Sequence, residues 1–137
     1  MKLLDTSVVV DIDRGRVEDR VDRLDEESRH AISAVTLTEL RLGVNIQYEP
    51  TTEAQSQAAK ALDRLHARFD VLEITQDIAL EAADVIADLQ SRGEPLDDLH
   101  DVYIGATART ERLSVLTANV NHFRRIDGVD VLDWSTY

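Results

Sequence analysis

Carboxylates recur at separated places in this chain: Asp5, Glu39, and Asp101 with its neighbours Asp97 and Asp98, followed by an amide, Asn119. Acids brought close together repel and raise one another's pKa unless a cation sits between them. A divalent metal resolves that conflict. With oxygen ligands and no cysteine anywhere in the chain, the ion expected is a hard one, Mg²⁺ or Mn²⁺. Such a site suits phosphodiester hydrolysis, because the ion lowers the pKa of water, polarises the phosphoryl oxygen and steadies the leaving oxyanion.

Each residue also has an ordinary structural reading. Asp5 could N-cap a helix starting at Ser7, and Thr36-x-x-Glu39 has the pattern of a capping box. Asp97 and Asp98 could complement the dipole of a helix over 96–112, whose spacing places both on one face with Asp101. Asn119 could be a turn residue. Asp101 resists such a reading, because Asp is a poor helix former and here it precedes the apolar stretch Val102-Tyr103-Ile104-Gly105-Ala106. His100 and His122 are read as structural, and Ser7 has no partners for a nucleophilic triad. Arg109, Arg112, Arg124 and Arg125 either grip phosphates or pair with the many acids.

The elements that must position these residues follow from apolar periodicity. Short runs at 2–4, 30–33, 71–74, 114–117 and 129–132 alternate with helical patterns at 7–12, 36–45, 76–90 and 96–112, which predicts an α/β protein with a mostly parallel sheet. Helical stripes also cover Val17, Val21 and Leu24, and Ala58, Ala61, Leu62, Leu65 and Phe69. Residues 134–137 are expected to form an exposed tail. No repeat and no low-complexity tract divides the chain, so one domain over 1–137 is expected. In an open parallel sheet, chemistry gathers beyond the carboxyl ends of the strands, which is where Asp5, Asn119 and the helix acids fall.

Composition bounds the function. The 137 residues carry 27 acids against 15 Lys and Arg, a formal net charge of −12, which excludes a generic electrostatic binder of nucleic acid. Seventeen of the acids are Asp and all but two of the bases are Arg, a bias that suits a surface hydrated in strong salt. A halophilic cytosol is therefore one expectation and an ordinary acidic protein the other. Without cysteine there is no disulfide or thiolate site. An acid at position 5 interrupts any signal-peptide core, and no apolar run reaches the length of a membrane span, so a cytoplasmic protein without a membrane partner is expected.

Taken in order, four segments resemble the PIN-domain ribonucleases, specifically the VapC-type toxins of prokaryotic toxin–antitoxin pairs. They are Leu3-Leu4-Asp5-Thr6-Ser7, Ile32 to Leu40 continuing to Gly43, Asp101 to Ala108, and Leu116-Thr117-Ala118-Asn119 leading to His122-Phe123. The resemblance spans nearly the whole chain and implies a three-layer α/β/α fold. It implies a metal-dependent endoribonuclease with an acidic site of Asp5, Glu39 and Asp101, in which Asp5 and Asp101 are direct ligands of Mg²⁺ or Mn²⁺. Glu39 would then orient water or act as general base, with Thr6 and Thr117 in support. The family often has Asp where this chain has Asn119, which puts a second tightly held ion in doubt. Asp98 either compensates or caps the helix. The implied partners are an RNA substrate, a VapB-like antitoxin and a second copy of the chain.

Two other readings compete. Val8-Val9-Val10 followed by Asp11-Ile12-Asp13 has the look of a haloacid-dehalogenase-like phosphatase with Asp11 as nucleophile, although Arg14-Gly15 departs from that family and only Lys2 and Lys60 are available as a catalytic lysine. The other is a non-catalytic PIN-like module that binds RNA or a partner without cutting.

Overall fold

A computed structural model describes residues 1–137. Five short strands, β1 (Lys2–Leu4), β2 (Ala31–Ser33), β3 (Asp70–Leu72), β4 (Ser114–Thr117) and β5 (Val131–Asp133), form one sheet in the order β3-β2-β1-β4-β5. Every pairing is parallel. The chain builds outward from β1 through β2 to β3, then returns to the other side of β1 for β4 and β5. The topological switch therefore lies between β1 and β4, where a parallel sheet leaves a crevice at its carboxyl edge.

Register explains why so short a sheet is stable. Leu3 is level with Ala31 and Val115, and Leu4 with Ile32 and Leu116. Since side chains alternate across a strand, the first row faces one side and the second row the other. Leu3, Ala31 and Val115 pack under Ile78, Ala82, Val85 and Leu89 of α5 (Gln76–Ser91) and Val102, Ile104, Ala106 and Ala108 of α6 (Leu99–Glu111). On the opposite side, Leu4, Ile32 and Leu116 meet Val8, Val9 and Ile12 of α1 (Thr6–Arg14), Leu24 of α2 (Glu18–Glu27) and Leu65 of α4 (Glu53–His66). The result is three layers with two apolar cores. Truncating Leu4 or Leu116 to alanine, each fully buried, costs about 2–5 kcal/mol.

Helix ends set the site. Gly15 closes α1 in the left-handed conformation, at φ 70°, which a side chain would strain. Within α6, a Cβ on Gly105 would collide with Ile126 Cδ1, so glycine there lets the segment after α7 (Val120–Arg124) lie against the helix.

Several expectations need correction. Residues Val8–Val10 are helical, as the pattern over 7–12 predicts, and that removes the strand-end geometry that the phosphatase reading of Asp11 requires. α3 (Ala34–Gln47) begins earlier than expected, capped by Ser33, so Thr36 and Glu39 lie inside the helix and form no capping box. α6 starts at Leu99, leaving Asp97 and Asp98 outside it, and the three acids do not share a helical face. The last strand starts two residues and ends one residue later than expected. The tail is not free either: Trp134 is buried, donates its indole N–H to Asp11 Oδ2 at 3.2 Å, and stacks on Tyr137.

Candidate active site

Beyond the carboxyl ends of β1, β2 and β4, a polar cleft of about 330 Å³ is walled by Asp5, Thr6, Ser7, Glu39, Asp98, Asp101, Asn119 and His122, with Val10, Asp11 and Arg14 along α1. All five residues singled out from the sequence, Asp5, Glu39, Asp98, Asp101 and Asn119, reach this one cleft. Asp97 does not line it.

Asp5 is buried, and its placement follows from the strand it ends. Its backbone N–H donates to Leu116 O at 2.9 Å, tying the end of β1 to β4. Its Oδ1 accepts from Thr6 N–H at 2.8 Å as the N-cap of α1. Its Oδ2 accepts from the hydroxyls of Ser7 and Thr117, each at 2.8 Å. Capping and site geometry thus coincide in one carboxylate. Ser7 Oγ in turn accepts from Ala118 N–H, and Thr117 Oγ1 from Asn119 N–H, so the two strand ends are laced together.

Glu39 arrives from one turn inside α3. The Thr6 hydroxyl donates to its Oε1 at 2.7 Å and lies 3.1 Å from the Thr36 hydroxyl, which is fully buried. Burial pushes Glu39 above its ordinary pKa; Thr6 and the charge of His100 oppose that rise, while Asp98 and Asp5 add to it. Asp101 lies in the first turn of α6, 6% exposed, and its Oδ2 is 2.7 Å from His122 Nδ1. Burial raises Asp101 as well, against the hydrogen bond from His122 and with Asp5 and Asp98 pushing the same way as burial.

Asp98 caps α6 by accepting from His100 N–H at 2.8 Å and also faces the cleft. Asn119 starts α7 without a side-chain cap, leaving its amide directed by nothing but the cleft wall. The only basic groups within 4.0 Å of these acids are histidines: His100 beside Asp98 and Glu39, and His122 beside Asp101. Arg14 shares the cleft, but no Lys or Arg forms an ion pair with the acids of this cluster.

Its donor set fits a hard divalent cation, being carboxylate oxygens with amide and imidazole at the edge. Ligand atoms of Glu39, Asp98 and His100 lie within 4.8 Å of one another, a trio that includes a histidine the sequence reading left out. Sequence reasoning set both histidines aside. For His122 the contact spans 21 residues in sequence, and no local pattern announces it; for His100, adjacency to Asp98 and Asp101 was the available signal.

The buried acids sit at the switch point of a parallel sheet, where such folds bind their ligands, and the family profile described as PIN domain matches residues 2–129. The chain belongs to the PIN-domain family. Within it, the chain is similar to Ribonuclease VapC1 of Rickettsia felis, with 30% identity over 134 residues that cover 98% of this chain and 96% of that protein. The tRNA(fMet)-specific endonuclease VapC of Salmonella typhimurium is 27% identical over 133 residues, covering 96% of each. Among solved structures, the DNA-bound VapBC of Salmonella typhimurium superposes with a TM-score of 0.85 at 27% identity, over 98% of this chain and 99% of that one. FitAcB from Neisseria gonorrhoeae gives 0.81 at 28% identity, over 97% of each chain.

Proposed function

We propose that this chain, as one PIN-like domain over residues 1–137, is a divalent-metal-dependent endoribonuclease and the toxin of a VapBC-type pair. The observation that carries the reading is the convergence of Asp5, Glu39, Asp98 and Asp101 in one cleft, where no Lys or Arg forms an ion pair with any of them. Asp5 and Asp101 are assigned as the residues that hold Mg²⁺ or Mn²⁺, with Glu39, Asp98 and Asn119 completing the wall. When bound, the ion supplies Lewis acidity toward the phosphoryl oxygen and makes water a stronger nucleophile.

The remaining work falls to the chain's own residues. Ser7 and Thr117 fix the Asp5 carboxylate, and His122 fixes that of Asp101, so neither acid needs to reorganise when a phosphodiester enters. Glu39, oriented by Thr6, accepts the proton of the attacking water. The water oxygen bonds to phosphorus as the phosphorus–oxygen bond to the leaving nucleotide breaks. Burial makes Glu39 more basic than a free carboxylate, which suits that role.

A VapB-like antitoxin and a second copy of the chain are the partners, a reading supported by the VapBC complexes among similar structures. A cytoplasmic location agrees with the antitoxin reading, and no helix is long and apolar enough to cross a membrane. The deciding experiment incubates the purified chain with cellular RNA and Mg²⁺ or Mn²⁺. Cleavage that chelation stops and Asp101→Asn abolishes is expected. RNA binding that survives loss of metal and of Asp101, with no cutting at any metal concentration, would instead establish a binding module.

A further inference from the structure

The acidic cleft does not end at Asp101. His122, about half exposed, lines both this cleft and a second, larger cavity of about 550 Å³ whose other walls are Arg92, Glu94, Asn121, Arg124 and Arg125. No apolar residue lines that cavity. Asn119 and Arg124 also share a third depression alongside Asn121 and His122, so the polar surface is continuous around α7 from the acids to the arginines.

In a chain of net charge −12, a cavity with three arginines against one acid is an inversion of the surrounding field. The ordinary reading, arginines serving as partners for surface acids, holds for Arg109, which pairs with Glu81 outside this cavity, and among the three cavity arginines for Arg92 alone. It pairs with Asp88 and Glu94 and donates to the Arg125 carbonyl, anchoring the end of α5 to the end of α7. Neither Arg124 nor Arg125 makes an ion pair or a side-chain hydrogen bond. Asp133, on the same side as Arg124, already accepts from the N–H and hydroxyl of Ser135.

We propose that Arg124 and Arg125 form a phosphate-binding subsite for single-stranded RNA, gripping the backbone to one side of the bond held in the acidic cleft. No Phe, Tyr or Trp lines either cavity, so the subsite grips phosphates and positions the strand without reading its sequence. Repulsion between RNA and the acidic surface is thereby confined, and the strand is threaded past His122 toward Asp101. The proposal rests on the ribonuclease reading above.

The test measures binding rather than cutting, so the two fail separately. A fluorescent single-stranded RNA of about 12 nucleotides is titrated with the full chain in Ca²⁺, across a range of KCl. Arg124→Gln with Arg125→Gln should weaken binding about ten-fold and reduce the slope of log K against log salt by about 1.4, two phosphate contacts for a single strand. Arg16→Gln with Arg64→Gln removes the same charge from exposed sites lining neither cavity, and should leave the slope unchanged. Neutral methylphosphonates placed beside the cleavage position should weaken binding to the wild type and not to the Arg124/Arg125 variant. Equal losses in both arginine pairs, or an unchanged slope in the first, would overturn the subsite. So would a first-pair variant that loses only its grip on an antitoxin. Absence of cleavage in Mg²⁺ by a chain that shows the expected slopes counts against the nuclease reading alone.

Discussion

The two ends of β1 handle carboxylates in opposite ways. At the amino end, the Glu27 carboxylate meets the Lys2 ammonium and the Tyr137 hydroxyl, and Lys2 also lies over the Tyr137 ring at 5.3 Å. Those hydrogen bonds, Lys2 first, hold Glu27 below its ordinary pKa. Next to it, buried His30 accepts from Lys2 N–H through Nδ1 and so donates through Nε2 to Leu24 O, a neutral imidazole that burial keeps neutral. At the carboxyl end, Glu39 and Asp101 are raised by burial and by the charges of Asp5 and Asp98, and no ammonium or guanidinium pairs with either. The first end is complete within the chain and serves stability. The second is left short of positive charge, which is how a protein reserves a place for an ion and a phosphate from outside.

The sharpest break in that comparison is in activity. Asp5→Asn or Asp101→Asn should cut RNA cleavage by about 10³-fold or more while a circular-dichroism melt stays cooperative, since the amide keeps the size of the carboxylate although it offers one acceptor oxygen in place of two. Glu27→Gln at the other end should leave cleavage unchanged. Full activity in either cleft variant would erase the functional distinction between the ends.

Metal should act at one end only. Mg²⁺ at ten times its Kd should stabilise the wild type by about 1.4 kcal/mol, a rise in Tm of roughly 4 °C, and chelation should reverse it. In Asp101→Asn the shift should vanish. Because Glu39 and Asp101 are raised, each destabilises the fold as pH climbs through and beyond its ordinary value of 4.5 or 3.8, and the ion must displace any proton retained. The Mg²⁺-induced shift should therefore grow from pH 5 to pH 7. A shift independent of pH would place the ion elsewhere.

Acid tests the amino end with the reverse sign. His30 is depressed, so its neutral form favours the fold, and its contribution should begin to fade as pH drops below about 6.5. Glu27 is depressed too, so its contribution is present above about pH 4.5 and lost below it. A melt series should show both steps, and His30→Gln should remove the first. Molar KCl should raise Tm if the remaining Asp-rich surface is salt-adapted; an unchanged Tm would leave it an ordinary acidic surface. The smallest effect is Glu27→Gln itself, at most about 1 kcal/mol by thermal melting, because the pair is partly exposed.

Much of this was legible in the chain because it is local. Three-residue apolar runs separated by helical stripes specify a parallel α/β sheet, and the order Asp5, Glu39, Asp101, Asn119 matches the PIN family whichever way the helices lean. Errors arose where one pattern has two local readings. Asp97 and Asp98 have the spacing of a helical face with Asp101, yet Asp98 caps α6 and both lie outside it. Thr36 and Glu39 have capping-box spacing, but Ser33 caps first.

What the sequence determined by itself is the class: strand positions, core stripes, and a set of acids with no cysteine and almost no lysine to answer them. Tertiary structure alone decided that Asp98 both caps α6 and faces the cleft, that His122 reaches Asp101, that Trp134 is buried on Asp11, and that Arg124 and Arg125 stand unpaired beside the acids. Those contacts join residues through the packing of different elements. Periodicity along a chain reports which face of one element is apolar; it carries no information about which polar groups from distant elements meet across the sheet's carboxyl edge.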